Sequence, residues 1–122
     1  MPDADDAEPA DDDYCYLTTT GRRSGRPHRI EIWYAADGDT LYLLAGGGRS
    51  SDWVQNLDAD PAVSVELDGQ DRVGHGEIVE AGDRAERART LVFGKYQPRN
   101  DGDLTRWRDT ALPVVIDVAA PA

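Results

Sequence analysis

Four arginines fall within eight residues in the stretch Thr18-Thr19-Thr20-Gly21-Arg22-Arg23-Ser24-Gly25-Arg26-Pro27-His28-Arg29, a threonine-rich segment running into a glycine-flanked turn. A planar guanidinium fork matches the oxygens of phosphate and carboxylate, so the chemistry such a turn suits is anion binding. A solvated turn whose arginines pair with surface acids fits the same spacing, and residue types leave both readings open. A second stretch, Gly46-Gly47-Gly48, leads through Arg49 into the helix start Ser50-Ser51-Asp52. Consecutive glycines cost backbone entropy and suit places where a ligand or another backbone comes close. A glycine loop feeding a helix also gathers unpaired N–H groups into a generic anion site. No Gly-Lys-Ser/Thr follows, and the three spaced glycines of a dinucleotide fingerprint are absent. A merely flexible loop is the other reading.

Other reactive groups are sparse. The two histidines, His28 and His75, have no cysteine or carboxylate at ligand spacing, which argues against zinc and leaves no metal site to nominate. No Gly-x-Ser-x-Gly elbow occurs, and Cys15 sits inside a strand pattern without an adjacent base, so nucleophilic catalysis has little support. His75, between two glycines, reads as a structural histidine. Trp33 and Tyr34 fit either a core or the wall of a flat-ring site, and Trp53 reads first as core. Tyr96 and Trp107 fall in the least regular region, where loops carry function. Two anion-suited turns beside aromatic residues, with no evident acid, base or metal, point to a bound cofactor that carries the chemistry itself.

The elements that must position these residues belong to one domain of 122 residues with net charge -11. Residues 1–13 hold seven acids and no base, a composition that cannot offset its ordering entropy, and read as a disordered tail. Residues 14–122 then form the folded, cofactor-binding domain, with 17 acids against 13 bases. The net negative charge disfavours nucleic acid as a partner. No apolar run reaches the ~20 residues of a membrane span. The acidic N-terminus is unlike a signal peptide, and a lone cysteine suits a reducing compartment, so the expected location is the cytoplasm. Twelve arginines against one lysine, with a pI of about 4.4, fit a GC-rich genome or adaptation to high salt.

Aromatic and β-branched residues mark a strand at 14–20, period-two alternation marks strands at 28–35 and 62–67, 73–79 follows the turn at Gly69 as another, and apolar runs mark two more at 40–45 and 112–118. The arginine turn connects the first two as a hairpin. Helical spacing predicts one helix from Ser51 to Pro61, a second from Asp83 to about Tyr96, and a short helical turn at 104–109. Gly74 and Gly76 suggest bulging or close packing in their strand. The expected fold is mainly β (α+β): a six-stranded antiparallel barrel with two or three short helices.

Leu17-Thr18-Thr19-Thr20-Gly21-Arg22-Arg23-Ser24-Gly25-Arg26-Pro27 resembles the opening motif of the deazaflavin (F420)-dependent nitroreductase family. Trp53-Val54-Gln55-Asn56-Leu57-Asp58-Ala59-Asp60-Pro61-Ala62-Val63, after its glycine loop, is similar to the same family's second motif. Order and spacing agree over roughly residues 16–118. The resemblance implies a split β-barrel related to the pyridoxamine-phosphate-oxidase-like flavin-binding superfamily, and coenzyme F420 as cofactor. It implies that Arg22, Arg23 and Ser24 contact the coenzyme's anionic tail, with His28 at a commonly basic position and Arg29 as its substitute. It places Ala45, Gly46, Gly47 and Gly48 on the loop approaching phosphate and ring, and Trp53 on the helix beside it. The family often has Ser-Lys-Gly-Gly where this chain has Ala45–Gly48, so Arg49 is the nearest replacement for the missing lysine. Of the family's C-terminal tyrosines, Tyr96 is the match, as a candidate to orient or protonate substrate. The implied reaction is hydride transfer to a small quinone, enone or nitro acceptor. An FMN- or haem-binding oxidoreductase of the same fold, a non-catalytic flavin-binding protein and a homodimer paired through the arginine turn are the alternatives.

Overall fold

The computed structural model describes residues 14–67 and 69–119; the acidic stretch 1–13, read above as a disordered tail, lies outside them. Seven strands form one antiparallel sheet: β1 (Cys15–Thr20), β2 (Pro27–Ile32), β3 (Ala35–Asp37), β4 (Thr40–Ala45), β5 (Ala62–Leu67), β6 (Gln70–Ile78) and β7 (Leu112–Val118). Their order across the sheet is β2-β1-β5-β6-β7-β4-β3. Strand alternation does what the sequence pattern requires in β1, where Cys15, Leu17 and Thr19 point inward, and in β5, where Val63, Val65 and Leu67 do. The register sets Leu17 opposite Val65.

Strands β4 and β7 are buried on both faces, which explains their continuous apolar runs. Leu41, Leu43, Val114 and Ile116 enter one core cluster with Leu17 and Val65. Tyr42, Leu44 and Val115 enter a second. Helix α2 (Asp83–Tyr96) covers that second face with Ala88, Val92 and Tyr96, and α3 (Thr105–Thr110) lies against it. Helix α1 (Asp52–Ala59) packs instead on β6 through Leu57. Gly76 has to be bare, because a Cβ there would stand 2.4 Å from Leu57 Cδ1. Of the two readings given to the β6 glycines, close packing is the one that holds.

Six strands in a split barrel were expected; among the described residues the sheet has seven strands and is a curled half-barrel, with no ladder joining β2 to β3. The expected strand 28–35 divides at Trp33-Tyr34. Residues up to Ile32 pair with β1 at one edge of the sheet, and from Ala35 the chain pairs with β4 at the other. Tyr34 therefore passes between edges in neither ladder, with no exposed surface. Buried peptide groups need partners, and side chains of α2 supply them. The Tyr34 N–H donates to the Tyr96 hydroxyl at 3.0 Å. That hydroxyl donates to the Tyr34 carbonyl at 3.1 Å, and Lys95 Nζ donates to the same carbonyl at 2.9 Å. Among the described residues no helix is long and apolar enough to cross a membrane.

Tyr96→Phe removes the acceptor for a buried N–H while keeping the ring. Urea denaturation should register a loss of about 2 kcal/mol, in the range for a buried polar group deprived of its partner. A change under about 0.5 kcal/mol would show that the hydroxyl does not hold the crossing.

Candidate functional site

The arginine turn is the β1–β2 hairpin connection, closed by the Gly21 N–H on the Arg26 carbonyl (2.8 Å) and the Gly25 N–H on the Gly21 carbonyl (2.9 Å). Gly25 has φ 72°, a left-handed conformation that favours glycine. The four arginines diverge in use. Arg22 turns inward onto α1: its backbone N–H and its guanidinium both donate to Asn56 Oδ1 (3.1 and 2.7 Å), and the guanidinium also reaches the Asp52 carboxylate at 3.3 Å. Asn56, itself buried, donates onward to Thr19 Oγ1 at 3.3 Å. Arg29 lies on the other face of β2, paired with Glu66 and stacked 4.2 Å above the Tyr16 ring. Arg23 and Arg26 are exposed. Arg22, Arg23, Ser24 and His28 line a small pocket of about 300 Å³ with Gly21, Asp52 and Asn56. A Cβ at Gly21 would sit 2.7 Å from Ser24 Oγ and 2.9 Å from His28 Nε2, so glycine keeps this pocket open.

Beside it lies a cleft of about 750 Å³. Its walls are Ile30, Ile32 and Trp33 from β2 and its exit, and Leu44 through Gly47 from the end of β4. Ser51 and Trp53 at the start of α1 close another side, with Leu104 and Trp107 around α3. His28, Ile30 and Ile32 are spaced by two along β2 and share a face, so the polar pocket and the cleft follow one another along that strand. Helix α1 walls both, through Asp52 and Asn56 on one and Ser51 and Trp53 on the other. Trp33 is fixed from behind: its ring stacks on Tyr96 at 4.3 Å and 5°, and meets Trp107 edge-on at 5.5 Å. Glycine keeps the floor clear. A Cβ on Gly46 would touch Trp107 Nε1 at 3.5 Å, and one on Gly47 would meet Ser51 Oγ at 2.5 Å. Gly48, with φ 59°, opens the short 3-10 turn that carries Arg49.

Of the residues singled out by sequence, Arg22, Arg23, Ser24 and His28 come together in the polar pocket, and Ala45, Gly46, Gly47 and Trp53 in the cleft. Arg29, Gly48 and Arg49 join neither; Arg49 pairs with Glu80 at 2.9 Å. Tyr96 is 2% exposed, with its hydroxyl bonded to the Tyr34 backbone, so the structure puts it behind the cleft wall rather than in the cleft. Asp52, Asn56, Tyr14 and Glu31 are lining residues that sequence reasoning did not nominate, and Trp107, noted only for its irregular surroundings, lines the cleft. For Asn56 a signal existed, since a polar residue on the apolar side of a helix needs a buried partner.

The F420H(2)-dependent quinone reductase family profile matches residues 8–119 of this chain. An F420H(2)-dependent quinone reductase of Mycobacterium tuberculosis (strain H37Rv) is 38% identical over 61 residues, which are 48% of this chain and 40% of the relative. The matched segment thus spans under half of that relative's length. A solved F420-H2 dependent reductase (FDR-A) superposes with TM-score 0.67 at 22% identity, covering 88% of this chain and 94% of its own. A FAD-binding protein from Mesorhizobium loti does so with TM-score 0.64 at 18% identity, covering 92% and 85%. At these identities the superpositions establish a shared fold.

The single thiol takes no part in this site. Burial, the largest influence, pushes the Cys15 pKa up to about 12, against a lesser opposing pull from Lys95. The native protein should therefore resist thiol alkylation at pH 8 and react once denatured, because the thiolate is the nucleophile. In the unfolded chain the thiol ionises near its ordinary value of 9.0, before it does in the fold. Stability should then be insensitive to this group below pH 9 and fall by up to about 1.4 kcal/mol per pH unit above it. Comparing pH–stability curves of wild type and Cys15→Ala isolates that slope; identical slopes would contradict it.

Proposed function

The chain belongs to the F420H(2)-dependent quinone reductase family, and on that footing we propose that it transfers a hydride from reduced coenzyme F420 to a quinone, enone or nitro acceptor. The observation that carries this reading is the succession of a cationic pocket and an aromatic cleft along one face of β2, both walled by α1. A ligand with a flat ring and an anionic tail matches that succession end for end. The residues present fit such a group: glycine at 21, 46 and 47 keeps both spaces free of side chains that would fill them.

Arg23, Ser24 and His28 hold the tail, with Arg23 the exposed cation free to follow an anion. Arg22 acts through Asn56 and Asp52, fixing the turn to α1 so that pocket and cleft keep their relation. Trp33, Trp53 and Trp107 give flat apolar walls that position rings and exclude water. When bound, the reduced deazaflavin supplies the hydride. The acceptor also needs a proton. Tyr14, 43% exposed at the cleft, is the phenol among its lining residues and takes the place expected of Tyr96.

Titration of the purified chain with oxidised F420 and with FMN, followed by fluorescence, should give micromolar or tighter binding for F420. Binding of FMN alone would overturn the reading in favour of a flavin enzyme of the same fold. Arg23→Ala should weaken F420 binding by about fivefold at low ionic strength, the scale of an exposed charge pair. The loss should shrink at high salt; an equal loss at both would contradict a charge role.

A further inference from the structure

Trp107 gives the cleft more than a flat wall. Its indole stands at 90° to that of Trp33, which lies flat on Tyr96. Two of its atoms, Nε1 at 3.5 Å and Cδ1 at 3.7 Å, come within 4 Å of the point where a Gly46 Cβ would stand. The ring therefore turns its N–H edge, and not its face, toward the bare glycine floor. That N–H has no hydrogen-bond partner among the described residues. The same holds for Trp33 and Trp53; what singles out Trp107 is an N–H edge located against the floor. The corner it makes with Trp33 is also the end of the cleft away from the arginine turn. Strand β2 carries the chain about 13 Å from His28 to Ile32, at the usual rise, before it reaches Trp33.

This donor is held in place before a ligand arrives. Helix α3, which carries Trp107, has six residues and no fully buried side chain, too little to be stable alone. Contacts from outside hold both of its ends. Arg89 of α2 donates to the Arg108 carbonyl and, at 3.0 Å, to the Ala111 carbonyl, at the helix end where a cation is favoured. At the other end the Gln97 side chain accepts from the Leu104 N–H at 2.7 Å and donates to the Gly102 carbonyl at 2.8 Å. A flat ring that fills the corner covers the Trp107 N–H. Left unmet, a covered donor weakens binding about tenfold, so rings bearing an oxygen on the rim are favoured over hydrocarbons.

We propose that the Trp107 indole N–H receives the oxygen of the electron acceptor: a quinone or enone carbonyl, or a nitro oxygen. The inference rests on the reading that the cleft receives the acceptor, and it names the group that meets it. Hydride addition to the acceptor leaves negative charge on an oxygen conjugated with the site of attack. A fixed donor aimed at that oxygen stabilises the charge as it develops. An indole N–H donates without giving up its proton. The proton that completes the reduction comes from another group of the cleft, such as Tyr14.

The test uses the full chain with oxidised F420, which has no hydride to give, and follows the three indole N–H signals by NMR. Loss of one signal in Trp107→Phe assigns it. Adding 2-methyl-1,4-naphthoquinone should move the Trp107 proton downfield, and 2-methylnaphthalene, alike in ring but without oxygen, should not. Turnover with reduced F420 then compares wild type with a chain carrying the benzothiophene analogue of tryptophan at position 107. That analogue keeps the shape and lacks the N–H. Its kcat/KM for the quinone should fall about tenfold, in kcat more than in KM. A Trp107 signal that ignores the quinone while Trp33 or Trp53 responds, or that answers both compounds alike, overturns the proposal and leaves the cleft reading standing. So does a full rate in the analogue. Silence of all three signals overturns both. A downfield shift without turnover in the wild type leaves the donor assigned and overturns the hydride-transfer reading instead.

Discussion

The rest of the structure depends on one constraint: the two edges of the sheet are consecutive in the chain. β2 and β3 lie at opposite ends of a seven-strand order, yet only Trp33 and Tyr34 separate them. A flat sheet of seven strands would set its edges about 28 Å apart at the usual strand spacing, far beyond the reach of two residues. The sheet has to curl until its edges nearly meet. Once it does, the crossing peptide at Tyr34 has left both ladders and is buried, and Tyr96 with Lys95 takes over its hydrogen bonds. The same two side chains also lie against aromatic faces there, Tyr96 stacked on Trp33 and Lys95 over the Tyr34 ring at 3.8 Å. Closure of the fold and orientation of the cleft wall are thus one event.

A second junction ties the cleft to the arginine turn. Asn56 accepts from Arg22 and donates to Thr19, so helix α1, strand β1 and the turn meet at one buried amide. Helix α1 cannot drift from the turn without stranding that amide's polar atoms, which is costly in the interior. Leu57, the next residue, seats the helix against Gly76 of β6. Contacts from two consecutive buried residues of an eight-residue helix therefore hold the distance between the polar pocket and the aromatic cleft.

Much of this could be read in the sequence, and the parts that could not share a cause. Strands β1 and β5, and helices α1 and α2, announce themselves because burial on one face imposes a period, and their positions match. The apolar run of β4 follows from its place between β7 and β3 with α2 lying across it. The division at Trp33-Tyr34 was hidden, since Ile30, Ile32 and Tyr34 continue a period of two while the chain changes partners. Tyr96 read as a free hydroxyl near a loop because its partner lies 62 residues away. Arg22 read as a ligand contact for the same reason, its acceptor being 34 residues distant. Local pattern reports which face a residue takes; it does not report which distant polar group has already claimed it.

That distinction changes what the arginine turn can do. Four guanidinium groups in eight residues look like a strong anion trap, but Arg22 is spent on α1 and Arg29 on Glu66, on the far face of the strand. The cations left facing outward from the turn are Arg23 and Arg26. Of these two only Arg23 lines the pocket, so the site grips an anion by position as much as by charge, and salt weakens the charged part first. The pocket's shape, kept by Gly21 and by the Arg22–Asn56 junction, then matters as much as the number of arginines. The turn is rich in arginine because half of its positive charge is construction and half is available to a ligand.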